Sequence, residues 1–308
     1  MTRPDVYFTW DIHYECNYNC TYCFLRYEKE TSNIKTKYLS VDEWLVIWDG
    51  INRKYGRAHA SVTGGEPFSY PGFIDLIASL TKMNSFEFST NLFWDADEFS
   101  SKISKDAVRV NPSFHPEFSG MEEFLKKYAY LKSKGYNMGV TTLVAYPPFM
   151  EDMQKIKEEI EKAGIGVVVF PYRGPYGDKK YPGQYTEDEK KMLRSMGVGL
   201  ASELNKGIAE KYDIGETQKV SNQNKLCLMG TRYGKILPNG DVFRCCAAVW
   251  TKEKTWENWG GLGNLFDGTF KLYEAPQVCK TPLSGDCVCY KAMIVGREEN
   301  WKKHWKGM

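Results

Sequence analysis

Three cysteines crowd the stretch CNYNCTYC near the start of the chain: Cys16, Cys20 and Cys23. Thiolates are ligands for zinc and for iron–sulfur clusters, and this spacing lets one loop present all three to a single centre. A tetrahedral zinc site needs a fourth ligand, and His13 is the one candidate close by. A cubane cluster answers the same arithmetic differently. Three thiolates hold three irons, and the fourth iron stays open for a ligand that takes part in chemistry. Six more cysteines follow far behind: Cys227, Cys245, Cys246, Cys279, Cys287 and Cys289.

The rest of the composition narrows the setting. The chain has 308 residues, 42% of them apolar and 26% charged, as in ordinary globular proteins. Nine cysteines are an odd number, and the N-terminus lacks the apolar core of a signal peptide, with Asp5, Asp11 and His13 interrupting it. A reduced, cytoplasmic chain that binds metal fits better than a disulfide scaffold. Basic residues number 41 against 39 acidic, which gives no electrostatic footprint for nucleic acid. No apolar stretch is long enough to span a membrane.

The elements that must position the thiols follow from hydrophobic periodicity. VYFTWDIHY reads as a strand ending at the cysteines, and SVDEWLVIWDGINRKY as a helix capped by Ser40 with Glu43 three residues on. AHASVTGGEPF, SFEFSTN, AVRVNPSFHPE, NMGVTTLVAYPP and GVVVFPYRG read as further strands, separated by helical segments that Gly135 and Gly164 terminate. Six strand-then-helix units predict a parallel α/β sheet, doubly wound or closed into a barrel, with functional groups at the C-terminal strand ends. The organisation changes after about residue 175, where a polar stretch rich in glycine and tyrosine breaks the repeat. Two regions are expected, 1–210 and 211–308.

CNYNCTYC resembles the Cys-x3-Cys-x2-Cys signature of the radical S-adenosylmethionine enzymes, with an aromatic, Tyr22, before the last cysteine. That resemblance implies a partial (β/α)6 TIM-type barrel and a [4Fe-4S] cluster whose open iron is chelated by S-adenosylmethionine. Reductive cleavage then yields a 5′-deoxyadenosyl radical, with the electron supplied by a partner such as flavodoxin or ferredoxin. TGGEP is similar to the second motif of the family, in which Gly64, Gly65 and Glu66 help hold the methionine amino group. Tyr22 is then expected near the adenine, and Ser89, Asn91, Ser113 and His115 stand where the family contacts ribose or carboxylate. Read without the resemblance, the triplet fits a zinc knuckle, TGGEP a tight turn, and His59 a structural or surface histidine.

In the rear group, ILPNGDVF predicts a β-hairpin whose Asn-Gly turn brings Cys227 and Cys245 towards each other. Cys287 and Cys289 share one side if extended. The pattern is similar to the auxiliary-cluster domains called twitch and SPASM. It implies a small C-terminal domain with one further [4Fe-4S] cluster, with ligands drawn from Cys227, Cys245, Cys279, Cys287 and Cys289. A structural zinc held by the same thiols is the plain alternative. Cys246 stands apart: adjacent side chains diverge, so with Cys245 as a ligand Cys246 is left free, as a hydrogen donor or, on the plain reading, a small buried side chain. GDVFRCC looks like the stretch of radical epimerases where a cysteine donates hydrogen to the substrate radical.

The expected activity is therefore epimerisation of a sugar- or aminoglycoside-like metabolite or of a peptide, with Cys246 as catalytic donor. Dehydrogenation by an oxidoreductase, or cluster-assisted carbon–sulfur bond formation, is the alternative. A non-catalytic electron carrier is a third reading. The cluster motif begins at residue 16, which leans towards a small molecule or a peptide recognised without a dedicated leader-binding domain.

Overall fold

A computed structural model describes residues 4–23, 25, 34–198, 224–245 and 260–279. The first strand, β1 (Val6–His13), is buried along its whole length. Alternation sends Val6, Phe8, Trp10 and Ile12 outward to the helices and Tyr7, Thr9, Asp11 and His13 inward to the barrel lumen. Helix α1 (Val41–Tyr55) follows with a complete capping box: Glu43 N donates to Ser40 Oγ at 3.3 Å, and Ser40 N donates to the Glu43 carboxylate at 2.7 Å. Its inner face places Trp44 and Trp48 against Trp10, with ring centroids 4.7 and 5.2 Å apart. Buried aromatic contacts of this kind are the largest single contributors to such a wall.

The remaining units repeat the scheme. β2 (Ala58–Gly64), α2 (Phe73–Leu80), β3 (Ser85–Thr90), α3 (Ala96–Lys102) and β4 (Val108–Pro112) come first. α4 (Met121–Ser133), β5 (Asn137–Met138), β6 (Thr141–Ala145), α5 (Met150–Lys162) and β7 (Val167–Pro171) complete the set. β1 to β5 are parallel neighbours, and β6 pairs in parallel with β7. The two groups are stitched by a Ser113–Thr142 bridge and by Phe114 N donating to Thr142 O at 3.0 Å. The result is a partial TIM-type barrel of parallel strands with helices outside.

Two features depart from the sequence reading. NMGVTTLVAYPP is not one strand, because β5 pairs with β4 and β6 with β7, and the break falls at Gly139–Val140. A Cβ on Gly139 would lie 2.1 Å from Asn111 Oδ1, so β4's side chain claims the space at the break. The polar stretch after 175 holds an antiparallel ribbon, β8 (Gly174–Tyr176) with β9 (Lys179–Tyr181), which its composition did not announce. The helix expected through 187–196 is present as α6 (Glu187–Ser195), under a second capping box from Thr186.

Downstream, β10 (Leu226–Cys227), β11 (Tyr233–Ile236), β12 (Asp241–Phe243), β13 (Gly261–Asn264) and β14 (Gln277–Val278) are short. β11 and β12 form the expected hairpin, closed by Gly240 N donating to Leu237 O at 2.9 Å, with Gly240 at a positive φ of 86°. β11 lies parallel to β1, Tyr7 facing Tyr233, so the hairpin and β13 extend the barrel sheet beyond its first strand. Tyr233 Oη donates to Thr9 Oγ1 at 2.6 Å, and Lys235 pairs with buried Asp11 at 2.5 Å. Among the described residues no helix is long and apolar enough to cross a membrane. Cys246, Cys287, Cys289, the boundary expected near 210 and the C-terminal Trp301 and Trp305 lie outside the described residues.

Candidate functional site

The loop after β1 carries the three cysteines over the C-terminal ends of the strands. A cavity of about 420 Å³ opens there, within the range of small-molecule sites. Cys16, Cys20 and Cys23 line it, and so does Tyr22. The glycine turn after β2 adds Gly64, Gly65 and Glu66, and β3 with its following loop adds Ser89 and Asn91. Ser113 and His115, at the end of β4, complete the set. Every front residue that the family resemblance pointed to thus meets at one place.

The glycine turn is fixed by close backbone approach. A Cβ on Gly64 would stand 2.1 Å from His13 O, and one on Gly65 would stand 1.8 Å from Glu15 O. Gly65 N donates to His13 O at 2.8 Å and Glu66 N to Glu15 O at 3.0 Å. The turn therefore presses against the root of the cysteine loop, which no residue with a side chain could do. Glu66 is 2% exposed. Its carboxylate accepts from Asn91 N at 2.7 Å, Thr90 Oγ1 at 2.8 Å and Phe68 N at 3.2 Å. Burial pushes this carboxyl up to about 7 against the pull of those three donors. It ties β2 to β3 as well as facing the cavity.

Three further contacts brace the cysteine loop from outside. Asn91 Nδ2 donates to Asn17 Oδ1 at 2.9 Å. Thr21 donates to the Glu117 carboxylate through both its backbone N–H, at 3.0 Å, and its hydroxyl. His115 Nδ1 lies 3.1 Å from Tyr22 Oη and 3.5 Å from Cys20 Sγ, with its ring stacked on Tyr22 at 6.0 Å. Burial lowers His115 to about 4, so the imidazole is neutral, and its Nδ1 shares one hydrogen bond with Tyr22 Oη. Asn17, Thr21 and Glu117 carry no signal in their types alone. Only the strand-end position of SFHPE would have pointed to Glu117.

The donor set decides which centre fits. Burial raises Cys16 to about 11 and Cys20 to about 12, so both hold protons until a metal displaces them. His13, the candidate fourth zinc ligand, faces elsewhere: Nε2 lies 2.7 Å from Glu66 O, and Nδ1 lies 3.3 Å from Glu15. Among the described residues no three metal-ligating side chains converge on a point that would hold one ion. Three thiols spread around a shared cavity, with a glycine turn opposite, fit a multi-iron cluster beside a bound small molecule.

The rear cysteines sit in a different setting. β10 and β14 pair antiparallel with Cys227 opposite Gln277, and Cys279 N donating to Lys225 O at 2.9 Å continues the ladder. That register puts Cys227 and Cys279 on one face as diagonal neighbours. Cys227 is 3% exposed and accepts from Met229 N at 3.5 Å. Its thiol is raised by burial and, less strongly, by Cys279, while Met229 N–H and the Arg244 guanidinium pull it down. Arg244 also donates to the carbonyls of Gln277 and Val278, each at 3.2 Å, and lies over the Tyr273 ring. Cys245 is half-buried at the end of β12 beside Leu237 and Phe243. His59 is buried at the opposite end of the barrel with Nδ1 2.9 Å from Ser85 Oγ, which matches a structural role.

Residues 11–160 match the family model described as the Radical SAM superfamily. The fold is similar to that of native anSMEcpe with bound AdoMet, at 16% identity over 85% of this chain and 79% of that one, TM-score 0.56. The same protein with AdoMet and the Kp18Cys peptide aligns at 14% identity over 85% and 78%, TM-score 0.55. Streptococcus suis SuiB bound to precursor peptide SuiA aligns at 13% identity over 86% of this chain and 64% of that one, TM-score 0.52. No curated protein matches the sequence.

Proposed function

We propose that this protein is a radical S-adenosylmethionine enzyme acting on a peptide or a small polar metabolite, and that it inverts a carbon centre with Cys246 as hydrogen donor. The observation that carries the first part is the meeting of three thiols, the Gly64–Gly65 turn and the ends of β3 and β4 around one cavity. When bound, a [4Fe-4S] cluster and S-adenosylmethionine supply a carbon radical able to remove a substrate hydrogen atom. The chain's own residues bind, orient and enclose. Cys16, Cys20 and Cys23 hold the cluster. The glycine turn and Glu66 shape the end of the cavity where an ammonium would lie. Tyr22, stacked on neutral His115, offers a flat wall for an aromatic base. Ser89 and Ser113 present hydroxyls from adjacent strands to a polar ligand.

In sequence, Cys246 comes three positions after Phe243, the last residue of β12. A thiol donates a hydrogen atom to a carbon radical readily, and the thiyl radical left behind takes an electron and a proton before the next turnover. The shared face of Cys227 and Cys279 supports a second reading. An auxiliary [4Fe-4S] cluster in region 211–308 would accept an electron from the substrate radical and give dehydrogenation. Peptides bound in the structures of anSMEcpe and SuiB favour a peptide substrate, and flavodoxin or ferredoxin suits the reductant.

The test is anaerobic reconstitution with iron, sulfide and a low-potential reductant in heavy water, with candidate peptides. Production of 5′-deoxyadenosine is expected. A product that gains one solvent deuterium supports epimerisation, and a product lacking two hydrogens supports dehydrogenation. Iron uptake without any 5′-deoxyadenosine would sink the enzyme reading.

A further inference from the structure

Glu117 grips a single residue of the cysteine loop, Thr21, which lies between Cys20 and Cys23. Nothing in its immediate chemistry requires a charge: a loop hydroxyl and an amide would be equally well satisfied by water or by a backbone carbonyl. The carboxylate takes both donors of that residue at once.

We infer that Glu117 is a positioning residue that sets the geometry of the cysteine loop and holds the cluster bound there at low potential. The inference rests on the cofactor reading of the cavity. Two effects act in one direction. A fixed negative charge beside a cluster disfavours adding an electron to it. Hydrogen bonds to cluster sulfurs raise the potential, and donors in this loop do reach sulfur, since Tyr18 N lies 3.3 Å from Cys16 Sγ. By accepting the Thr21 N–H and hydroxyl, Glu117 turns two such donors away from the thiols.

The experiment compares full-length wild type with Glu117→Gln, Glu117→Asp and, as a control for net charge, the exposed Glu122→Gln. Iron and sulfide per chain are counted after anaerobic reconstitution, and the midpoint potential of the front cluster is read by EPR-monitored titration. To isolate that cluster, each variant is made in a background carrying Cys227→Ala and Cys279→Ala. Glu117→Gln is expected to retain iron and to shift the midpoint upward. Glu117→Asp keeps the charge but falls short of Thr21, so it is expected to lose iron on gel filtration while leaving the midpoint of its loaded fraction near wild type. Glu122→Gln is expected to change neither. A loaded Glu117→Gln protein with the wild-type midpoint, or one shifted downward, would overturn the inference. So would an equal upward shift in Glu122→Gln. Failure of the wild type to take up iron at the front loop would instead count against the cofactor reading itself.

Discussion

The front and rear cysteines solve one problem by opposite routes. Cys16, Cys20 and Cys23 belong to a single loop, and the barrel braces that loop from β2, β3 and β4 through Glu66, Asn91, His115 and Glu117. Cys227 and Cys279 come from distant segments and meet only because β10 pairs with β14, with Arg244 fastening the ladder from a third segment. A local loop borrows its rigidity from a scaffold that exists without it. A site assembled from separate strands is itself part of what holds those strands together. Damage should therefore stay contained at the front and spread at the rear.

The most drastic way to break the comparison is to remove the front thiols. Replacing Cys16, Cys20 and Cys23 by alanine should abolish 5′-deoxyadenosine formation and remove about four irons per chain, while under the proposed auxiliary-cluster reading the iron count at the rear cysteines would not change. Next comes the wall that both regions share. Trp10→Ala removes the ring packed against Trp44 and Trp48 and should cost about 3–5 kcal/mol in urea unfolding. Arg244→Met should cost about 1–2 kcal/mol and, if the rear site is strand-assembled, release its iron while the front cluster stays. Asn91→Ala leaves Asn17 without its partner and should cost about 1 kcal/mol, with slower reconstitution at the front only.

The smallest effect belongs to neither cysteine region. Burial lowers the His59 pKa, so the unfolded chain takes up a proton that the folded chain refuses. Its contribution to stability is complete above the ordinary histidine pKa of about 6.5 and falls as pH drops below it. Urea midpoints of wild type and His59→Asn should converge from pH 7.5 to pH 5.5, about two units apart. A residual acid slope comes from His115, held neutral at the cavity by the same cause.

The barrel was legible because each strand-then-helix unit repeats a periodicity set by which face is covered. The capping box at Ser40 shows the same chemistry at a single residue. The cavity was legible through cysteine spacing, a paired glycine and strand-end positions. What escaped was everything fixed by partners distant in sequence. Gly139 breaks a strand because of Asn111 on its neighbour. Glu117 matters because of Thr21. Leu226–Cys227 and Gln277–Val278 are too short to announce themselves as strands, and only their pairing defines them. The glycines of TGGEP, expected to help hold a methionine amino group, line the cavity and also admit the chain's own backbone at His13 and Glu15.

The parallel pairing of β11 with β1 joins residues 224 positions apart, as in the Tyr233–Thr9 contact. Closing so long a loop carries an entropic cost that only the completed barrel face repays, which makes this pairing a late event in folding. During synthesis the first strand and the cysteine loop at its end emerge long before their outer neighbour exists. The front loop is thus made while the hairpin that pairs alongside β1 is still absent, and the sheet gains its outer neighbour last.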